Sequence, residues 1–175
     1  MGKWIIVVLV LPVIAYVSYK GYRFIKHRMI KHEVGIQYIN KPAPDAQGVD
    51  LDGKSFLLGS QKGKNVIIIF WATWCRYCVK GIPEIMELKK DLKGHSNVVI
   101  ISSSLDGDVE KAKSFIEKRK INYRVLIDEK NPGKNSEFNK PFRVLHIPSI
   151  WVVNTEGIVI AQNLRHISDA IEILK

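Results

Sequence analysis

Cysteine is scarce in this sequence, with only two among 175 residues. Two cysteines are too few for the multi-bridge frameworks of small secreted domains or for a four-thiolate zinc site. The sequence also lacks a glycine-rich phosphate loop, a pair of catalytic carboxylates and a Ser/His/Asp constellation. The length and the ordinary aliphatic content favour one folded domain whose core needs no disulfide bridges. The two cysteines are therefore the strongest candidates for chemistry.

Acidic residues are also few, with 17 Asp and Glu against 27 Lys and Arg, for a formal charge of +10. Residues 1–33 carry six basic and one acidic side chain, so half of the excess lies in a fifth of the chain. The other basic side chains are dispersed along mixed-charge segments and do not interleave with aromatic residues, as they do on nucleic-acid-binding surfaces. We expect no nucleic-acid partner.

An apolar run without charge extends from Trp4 to Tyr19. A membrane helix needs about 20 apolar residues, and this run reaches that length if Lys20 snorkels and residues 21–25 extend the helix. The stretch after Ala15 has no small-x-small cleavage site, which favours an uncleaved anchor over a signal peptide. We expect residues 1–33 to form one transmembrane helix with a basic juxtamembrane segment. Because most of the flanking basic residues follow the run, the positive-inside rule places the C-terminal domain in the cytoplasm.

The rest of the chain reads as a linker, residues 34–48, and a domain, residues 49–175. Asp52-Gly53 predicts the turn of a small hairpin over residues 49–56. Continuous β-branched and aromatic runs predict buried strands at residues 66–71, 98–101 and 149–153, and the last continues through a hairpin turn to 158–161. Helical periodicity covers residues 76–93, 108–120 and 167–174. This order predicts an α/β fold, with a central mixed sheet flanked by helices.

The candidate site lies where the first buried strand meets its helix. Cys75 stands at the first turn of that helix, where unpaired backbone N–H groups and the helix dipole favour a thiolate. The guanidinium of Arg76 adds to this stabilisation. Cys78 follows three residues later on the same side, so the two sulfurs can close a disulfide across one helical turn. We predict that Cys75 attacks a disulfide and that Cys78 resolves the mixed disulfide. Half of a zinc site is the competing interpretation, but it needs two further ligands.

These residues resemble the thioredoxin superfamily. The resemblance rests on Phe70-Trp71-Ala72-Thr73-Trp74-Cys75-Arg76-Tyr77-Cys78, on Pro83 and on Ile147-Pro148. The segments at residues 42–45, 51–54 and 62–66 are similar to the membrane-anchored TlpA/ResA-like branch, and the resemblance covers residues 42–175. It implies a thioredoxin fold with an N-terminal hairpin extension. It also implies that Pro148 is a cis-proline opposite the disulfide and that Ile147 offers its backbone to an incoming peptide. We expect Trp71 in the core and Trp74 at the rim of a peptide-docking surface. Arg76 and Tyr77 are expected to contact the substrate or to support the residues that do.

The sequence departs from this family pattern at the proton acceptor of the buried thiol. Thioredoxins have an acid at the position of Ile69, and ResA-like reductases have a glutamate at the position of Gly81. Glu84 lies near the same helix face, but we interpret it as a solvated residue. The dipeptide between the cysteines contains Arg76 and no proline, which favours the dithiol and makes the couple more oxidising than thioredoxin.

Three other functions compete with thiol-disulfide exchange. A peroxiredoxin would need Thr and Pro at the positions of Ala72 and Ile68, so we reject that function. A copper chaperone of the Sco type would bind metal through Cys75, Cys78 and His146, since soft thiolates and imidazole suit copper. That group spaces its cysteines by three residues and not by two. The third alternative is a redox-sensing interaction module without enzymatic activity.

The sequence therefore predicts a membrane-anchored, thioredoxin-like thiol-disulfide oxidoreductase. The intrinsic disulfide is its redox group, so we expect no cofactor. The expected partners are cysteine-containing protein substrates and a membrane or soluble redox partner. The resemblance implies a role in cytochrome c maturation or in thiol reduction of exported proteins, on the outer face of a bacterial cytoplasmic membrane. This side of the membrane is opposite to the one that the charge rule favours.

Overall fold

A computed structural model describes residues 19–20, 38–92 and 97–174. The chain divides into two units, residues 1–37 and 38–175, and the strands and helices given below belong to the second. The predicted anchor, residues 1–33, lies outside the described residues apart from Tyr19 and Lys20. Within the described ranges, no helix combines the length and the apolar character needed to cross a bilayer.

The described part of the second unit contains seven strands and three α-helices, besides three short 3-10 helices. The strands are β1 Gln47–Val49, β2 Ser55–Leu57, β3 Asn65–Trp71, β4 Val98–Ser104, β5 Arg124–Leu126, β6 Ser149–Val153 and β7 Val159–Leu164. The helices are α1 Arg76–Asp91, α2 Val109–Arg119 and α3 Ile167–Ile173. These bounds confirm the predicted strands and helices to within a few residues, but β5 was not predicted.

Five strands form one mixed sheet in the order β5-β4-β3-β6-β7. β3 is parallel to β4 and antiparallel to β6, and β4 is parallel to β5. The β1–β2 hairpin forms a separate antiparallel pair. It reaches the edge of the sheet through β5, because Ile127 N donates to Val49 O at 3.0 Å. The expected α/β architecture and the hairpin are confirmed.

The central strand β3 explains why its sequence is apolar without interruption. Every residue of β3 after Asn65 is at most 2% exposed. Ile67, Ile69 and Trp71 belong to a core cluster that includes residues of all three helices. The alternate residues Val66, Ile68 and Phe70 belong to a second cluster, on the other face, with Phe56, Phe138, Phe142 and Trp151. A strand that is covered on both faces has no need of polar residues.

The predicted linker overlaps with the folded unit. Pro42 pairs with Ile158 in an isolated bridge, and Ala43 N donates to Gly157 O at 2.9 Å. Ala46 is only 2% exposed. Residues 38–48 are therefore packed against the domain rather than extended away from it, while residues 34–37 lie outside the described residues.

Candidate active site

The C-x-x-C motif lies at the junction of β3 and α1. β3 ends at Trp71, and after a loop of three residues Cys75 becomes the N-cap of α1. The Cys75 backbone is extended, and its Sγ accepts a hydrogen bond from Cys78 N at 3.2 Å. This is the bond that a serine or aspartate side chain accepts at an ordinary helix N-cap. The sulfur thus occupies the position where a helix best stabilises negative charge.

The two sulfurs are joined in a disulfide, with the Cα atoms 5.2 Å apart. Cys75 is 7% exposed and Cys78 is 5% exposed. The predicted pairing is therefore present in the structure. Both cysteines are nearly buried, and Cys75 is only slightly more accessible than Cys78.

The residues beside the cysteines are exposed. Trp74 is 64% exposed and Tyr77 is 79% exposed. Arg76, between the cysteines, is exposed as well. Large apolar side chains that remain open to solvent next to a reactive group are typical of a protein-binding surface. This exposure fits the predicted rim around the disulfide, and Trp71, at 2% exposure, lies in the core as expected.

The Ile147–Pro148 peptide bond is cis, as the resemblance implies. The bond immediately precedes β6, which is the neighbour of β3 in the sheet. Pro148 and Cys78 line the same groove, which has a volume of about 460 Å³. The fold therefore brings the proline loop and the C-x-x-C motif to one end of the sheet.

The groove lies on the Cys78 side of the motif and runs along α1. Its other lining residues are Ile69, Trp71, Tyr77, Lys80, Gly81, Ile82, Glu84, Ile85, Tyr123, Ile150, Arg165, His166 and Ile167. Ile69 and Gly81, the two positions where the family resemblance leads us to expect an acid, are on its wall. A Cβ atom at Gly81 would meet nothing within 4 Å. Glu84 also borders the groove, but its side chain is exposed, in agreement with the solvated residue that we predicted.

Two titratable groups, one in the groove and one in the proline loop, have shifted pKa values. Burial raises the pKa of Tyr123, a groove residue, so that its hydroxyl stays neutral. Burial and the positive charge of Arg165 lower the pKa of His146. The structure does not unite His146 with the cysteines in a metal site, since the described residues contain no cluster of three or more His, Cys, Asp or Glu side chains suited to a metal.

Sequence reasoning missed one polar contact of the motif. Asp106, two residues after β4, accepts hydrogen bonds from the backbone and the hydroxyl group of Thr73. The available signal was that polar residues follow both β3 and β4. Because parallel strands end at the same edge of a sheet, these residues are expected to meet there.

Comparisons with known proteins agree with this geometry. A profile of the AhpC/TSA family matches residues 39–162. The chain belongs to the AhpC/TSA family. It is 32% identical over 158 residues to the thiol-disulfide oxidoreductase ResA of Bacillus thuringiensis subsp. konkukian, a match that covers 90% of this chain and 83% of ResA. It is 28% identical over 160 residues to the thioredoxin-like protein YneN of Bacillus subtilis, over 91% of this chain and 88% of YneN.

A solved structure gives the same result. The thioredoxin domain of a thiol-disulfide oxidoreductase from Bacteroides vulgatus superimposes with a TM-score of 0.67 at 27% identity, over 78% of this chain and 96% of that domain. The thioredoxin fold and the likeness to ResA are confirmed. Although the chain matches this family, Ala72 and Ile68 occupy the positions where the peroxidatic motif of a peroxiredoxin needs Thr and Pro. Thiol-disulfide exchange through Cys75 and Cys78 is therefore the chemistry of this chain.

Proposed function

We propose that this protein is a membrane-anchored oxidoreductase that exchanges electrons with cysteines of exported polypeptides, including apocytochromes c. The observation that carries the proposal is the placement of the Cys75–Cys78 disulfide at the start of α1, beside exposed Trp74 and Tyr77. A group at this position exchanges electrons through its own sulfurs, so the reaction needs no bound cofactor.

The exchange proceeds in two steps that balance in both directions. In the reductive direction, the Cys75 thiolate attacks a substrate disulfide, forms a mixed disulfide and releases one substrate thiolate. Cys78 then loses its proton and attacks the Cys75 sulfur, which releases the second substrate thiolate and forms the Cys75–Cys78 disulfide. Two electrons pass to the substrate. A redox partner that supplies two electrons returns the protein to the dithiol.

The substrate docks between the two loops at this end of the sheet. The loop with Ile147 and Pro148 offers backbone hydrogen-bonding groups beside the motif, and Pro148 shares the groove wall with Cys78. Trp74 and Tyr77 supply exposed aromatic surface next to the cysteines. The groove itself accepts a side chain that lies near the substrate cysteine.

The anchor and the outer-face location rest on the amino-terminal sequence and on the chemistry. Soluble thioredoxin serves the cytoplasm, so an anchored redox domain is most useful outside it. The basic residues after the apolar run argue for the opposite orientation. Fusion of alkaline phosphatase after Lys175 in a bacterial host distinguishes the two, because that enzyme folds only when it is exported. An active fusion is the expected result, and an inactive but stable fusion would place the domain in the cytoplasm.

Insulin reduction tests the activity. The full-length protein in detergent, supplied with dithiothreitol, is expected to accelerate insulin precipitation well above the reductant alone. Cys75→Ser should reduce this acceleration to background, because serine cannot form the mixed disulfide. Equal rates for the wild type and Cys75→Ser would exclude the oxidoreductase and favour a sensing module.

A further inference from the structure

A buried carboxylate supports the loop that carries the nucleophile. Asp106 is 5% exposed, and both of its oxygens contact Thr73. Thr73 N lies 2.9 Å from Oδ2 and 3.2 Å from Oδ1, and Thr73 Oγ1 donates to Oδ1 at 2.7 Å. Asp106 therefore restrains the backbone and the side chain of Thr73 together.

Both oxygens of this carboxyl group accept hydrogen bonds from the protein. Ser104 Oγ accepts from Asp106 N at 3.0 Å, so its own hydrogen is available to donate to Asp106 Oδ2 at 2.8 Å. Oδ1 and Oδ2 thus each accept from the protein, as the oxygens of an ionised carboxylate do. Hydrogen bonds to a charged acceptor are also the stronger ones.

The segment that carries Asp106 is itself held in place by hydrogen bonds to other parts of the domain. Ser104 O accepts from Asn139 Nδ2 at 3.0 Å, and the same amide group donates to Gly133 O at 2.8 Å. Asn139 is 2% exposed. The position of Asp106 is therefore fixed by its own surroundings, and its hydrogen bonds to Thr73 restrain the segment before Cys75.

Thr73 is only two residues from Cys75. Two residues span at most about 7 Å, and the turn between them is tightened because Cys75 N donates to Ala72 O at 3.1 Å. A charge on the buried Asp106, which contacts Thr73, is screened little by salt over the short distance to Cys75. The Asp106 anion repels a negative charge on the Cys75 sulfur, and this opposes the stabilisation that the helix N-terminus provides.

We propose that Asp106 is a positioning residue for thiol-disulfide exchange, which fixes the Thr73–Cys75 segment and whose negative charge makes the cysteine couple more reducing. The reduced protein carries the Cys75 thiolate, whereas the disulfide is neutral. An adjacent anion therefore destabilises the dithiol state relative to the disulfide, and removal of that anion favours the dithiol. This inference rests on the proposed exchange at Cys75.

Equilibration of Asp106→Asn with glutathione buffers tests the proposal. The full-length variant is expected to shift the equilibrium toward the dithiol at least about threefold compared with the wild type. Asp108→Asn is the matched control, because it makes the same chemical change two residues later on an exposed side chain. It is expected to leave the equilibrium unchanged. A folded Asp106→Asn protein with the wild-type equilibrium would overturn the proposal.

A second pair of variants covers the case in which Asp106→Asn does not fold. Thr73→Val removes the hydrogen bond between the Thr73 hydroxyl group and Asp106 but leaves the Asp106 carboxyl group in place. Thr73→Ser retains both the hydrogen bond and the carboxyl group. The reduced Thr73→Val protein should react several times more slowly with a small aromatic disulfide, while Thr73→Ser should react at the wild-type rate. Equal rates for both would contradict the positioning role. These experiments measure the redox equilibrium and the reactivity of Cys75 and Cys78 directly. A negative result here would therefore be distinct from an inability of the protein to reduce insulin.

Discussion

Two helices of this protein follow neighbouring parallel strands and begin in the same way, but with different chemistry. α1 begins after Cys75 and α2 begins after Asp108, and both N-cap residues have extended backbones. Cys75 Sγ accepts from Cys78 N at 3.2 Å, and Asp108 Oδ1 accepts from Lys111 N at 3.0 Å. The same backbone donor of each helix is therefore satisfied by a sulfur in one case and by a carboxylate in the other.

The difference shows how an ordinary helix start becomes a redox centre. The Asp108 cap is a carboxyl group that does not change with the redox state of the protein, and the first turn that follows it contains the acidic Glu110. The Cys75 cap is neutral as a disulfide and anionic as a thiolate, and its first turn contains Arg76 and no acid. Reduction thus creates, at α1, a negative charge at the position where α2 has a carboxyl group in both redox states. The first turn of α1 is suited to a charge that appears only after reduction.

The largest effect is expected when the α1 cap is converted into the α2 cap. Cys75→Asp retains an acceptor for Cys78 N but cannot form a disulfide, so insulin reduction should fall to background. Under reducing conditions, urea unfolding should find this variant about 1 kcal/mol more stable than Cys75→Ala, which has no cap. Residual catalysis above background would mean that Cys75 is not the attacking group.

The groove borders α1. A large side chain placed in the groove tests whether the substrate docks there. Gly81→Phe projects a ring into the space where a Cβ atom meets no neighbour. Loss of a side-chain subsite costs about 1–3 kcal/mol, or roughly 10- to 200-fold, so kcat/KM for insulin should fall at least tenfold. The rate with a small aromatic disulfide should stay unchanged. Gly81→Ala, which leaves most of the groove open, is the control, and an equal loss with both substrates would refute docking in the groove.

The positive charge in the first turn of α1 can be removed by placing there the residue that α2 has at the same position. Arg76→Val gives α1 the residue that follows the cap in α2, Val109. The pKa of the Cys75 thiol should rise, and the glutathione equilibrium should shift about threefold to tenfold toward the disulfide, since an adjacent cation stabilises the thiolate. Lys118→Val, in the last turn of α2, is a control with the same loss of charge. An unchanged equilibrium in Arg76→Val would contradict the oxidising role that we assign to Arg76, and a wild-type potential near or below about −270 mV would contradict a couple more oxidising than thioredoxin.

The smallest effect is expected at the second helix. Asp108→Ala removes the α2 cap and should lower the free energy of unfolding by about 1 kcal/mol. Insulin reduction should be unaffected, because the Asp108 side chain serves only its own helix. Chemical denaturation of the oxidised protein measures the first quantity. A large loss of activity would show that the two helix starts are coupled and would undo the contrast between them.

Local signals in the sequence were sufficient for much of this fold. The uninterrupted apolar run predicted β3, because a strand buried on both faces has a composition that few other elements share. Helical periodicity over residues 108–120 predicted α2, since periodicity is a property of neighbouring residues. The C-x-x-C motif was recognisable for the same reason, as its two sulfurs lie within one helical turn.

Three features that depend on distant residues were not predicted. β5, Arg124–Leu126, is only three residues long and is formed through its pairing with β4. The contact between Thr73 and Asp106 joins residues 33 positions apart, and it exists only because β3 and β4 end side by side. The packing of residues 38–48 against the domain was hidden by prolines that read locally as a linker. In each case tertiary pairing determined the outcome.

The most direct test of the account is to trap the mixed disulfide. Cys78→Ser removes the resolving thiol, so the reduced variant should remain bound to insulin through a disulfide. Trypsin cleaves after Lys64, Arg76 and Lys80, which separates the two positions of the motif into different peptides. Mass spectrometry is expected to find the insulin cysteine on the peptide of residues 65–76, which contains Cys75. The absence of this adduct, or an equal yield of insulin adduct from Cys75→Ser on the peptide of residues 77–80, would contradict the assignment of Cys75 as the nucleophile.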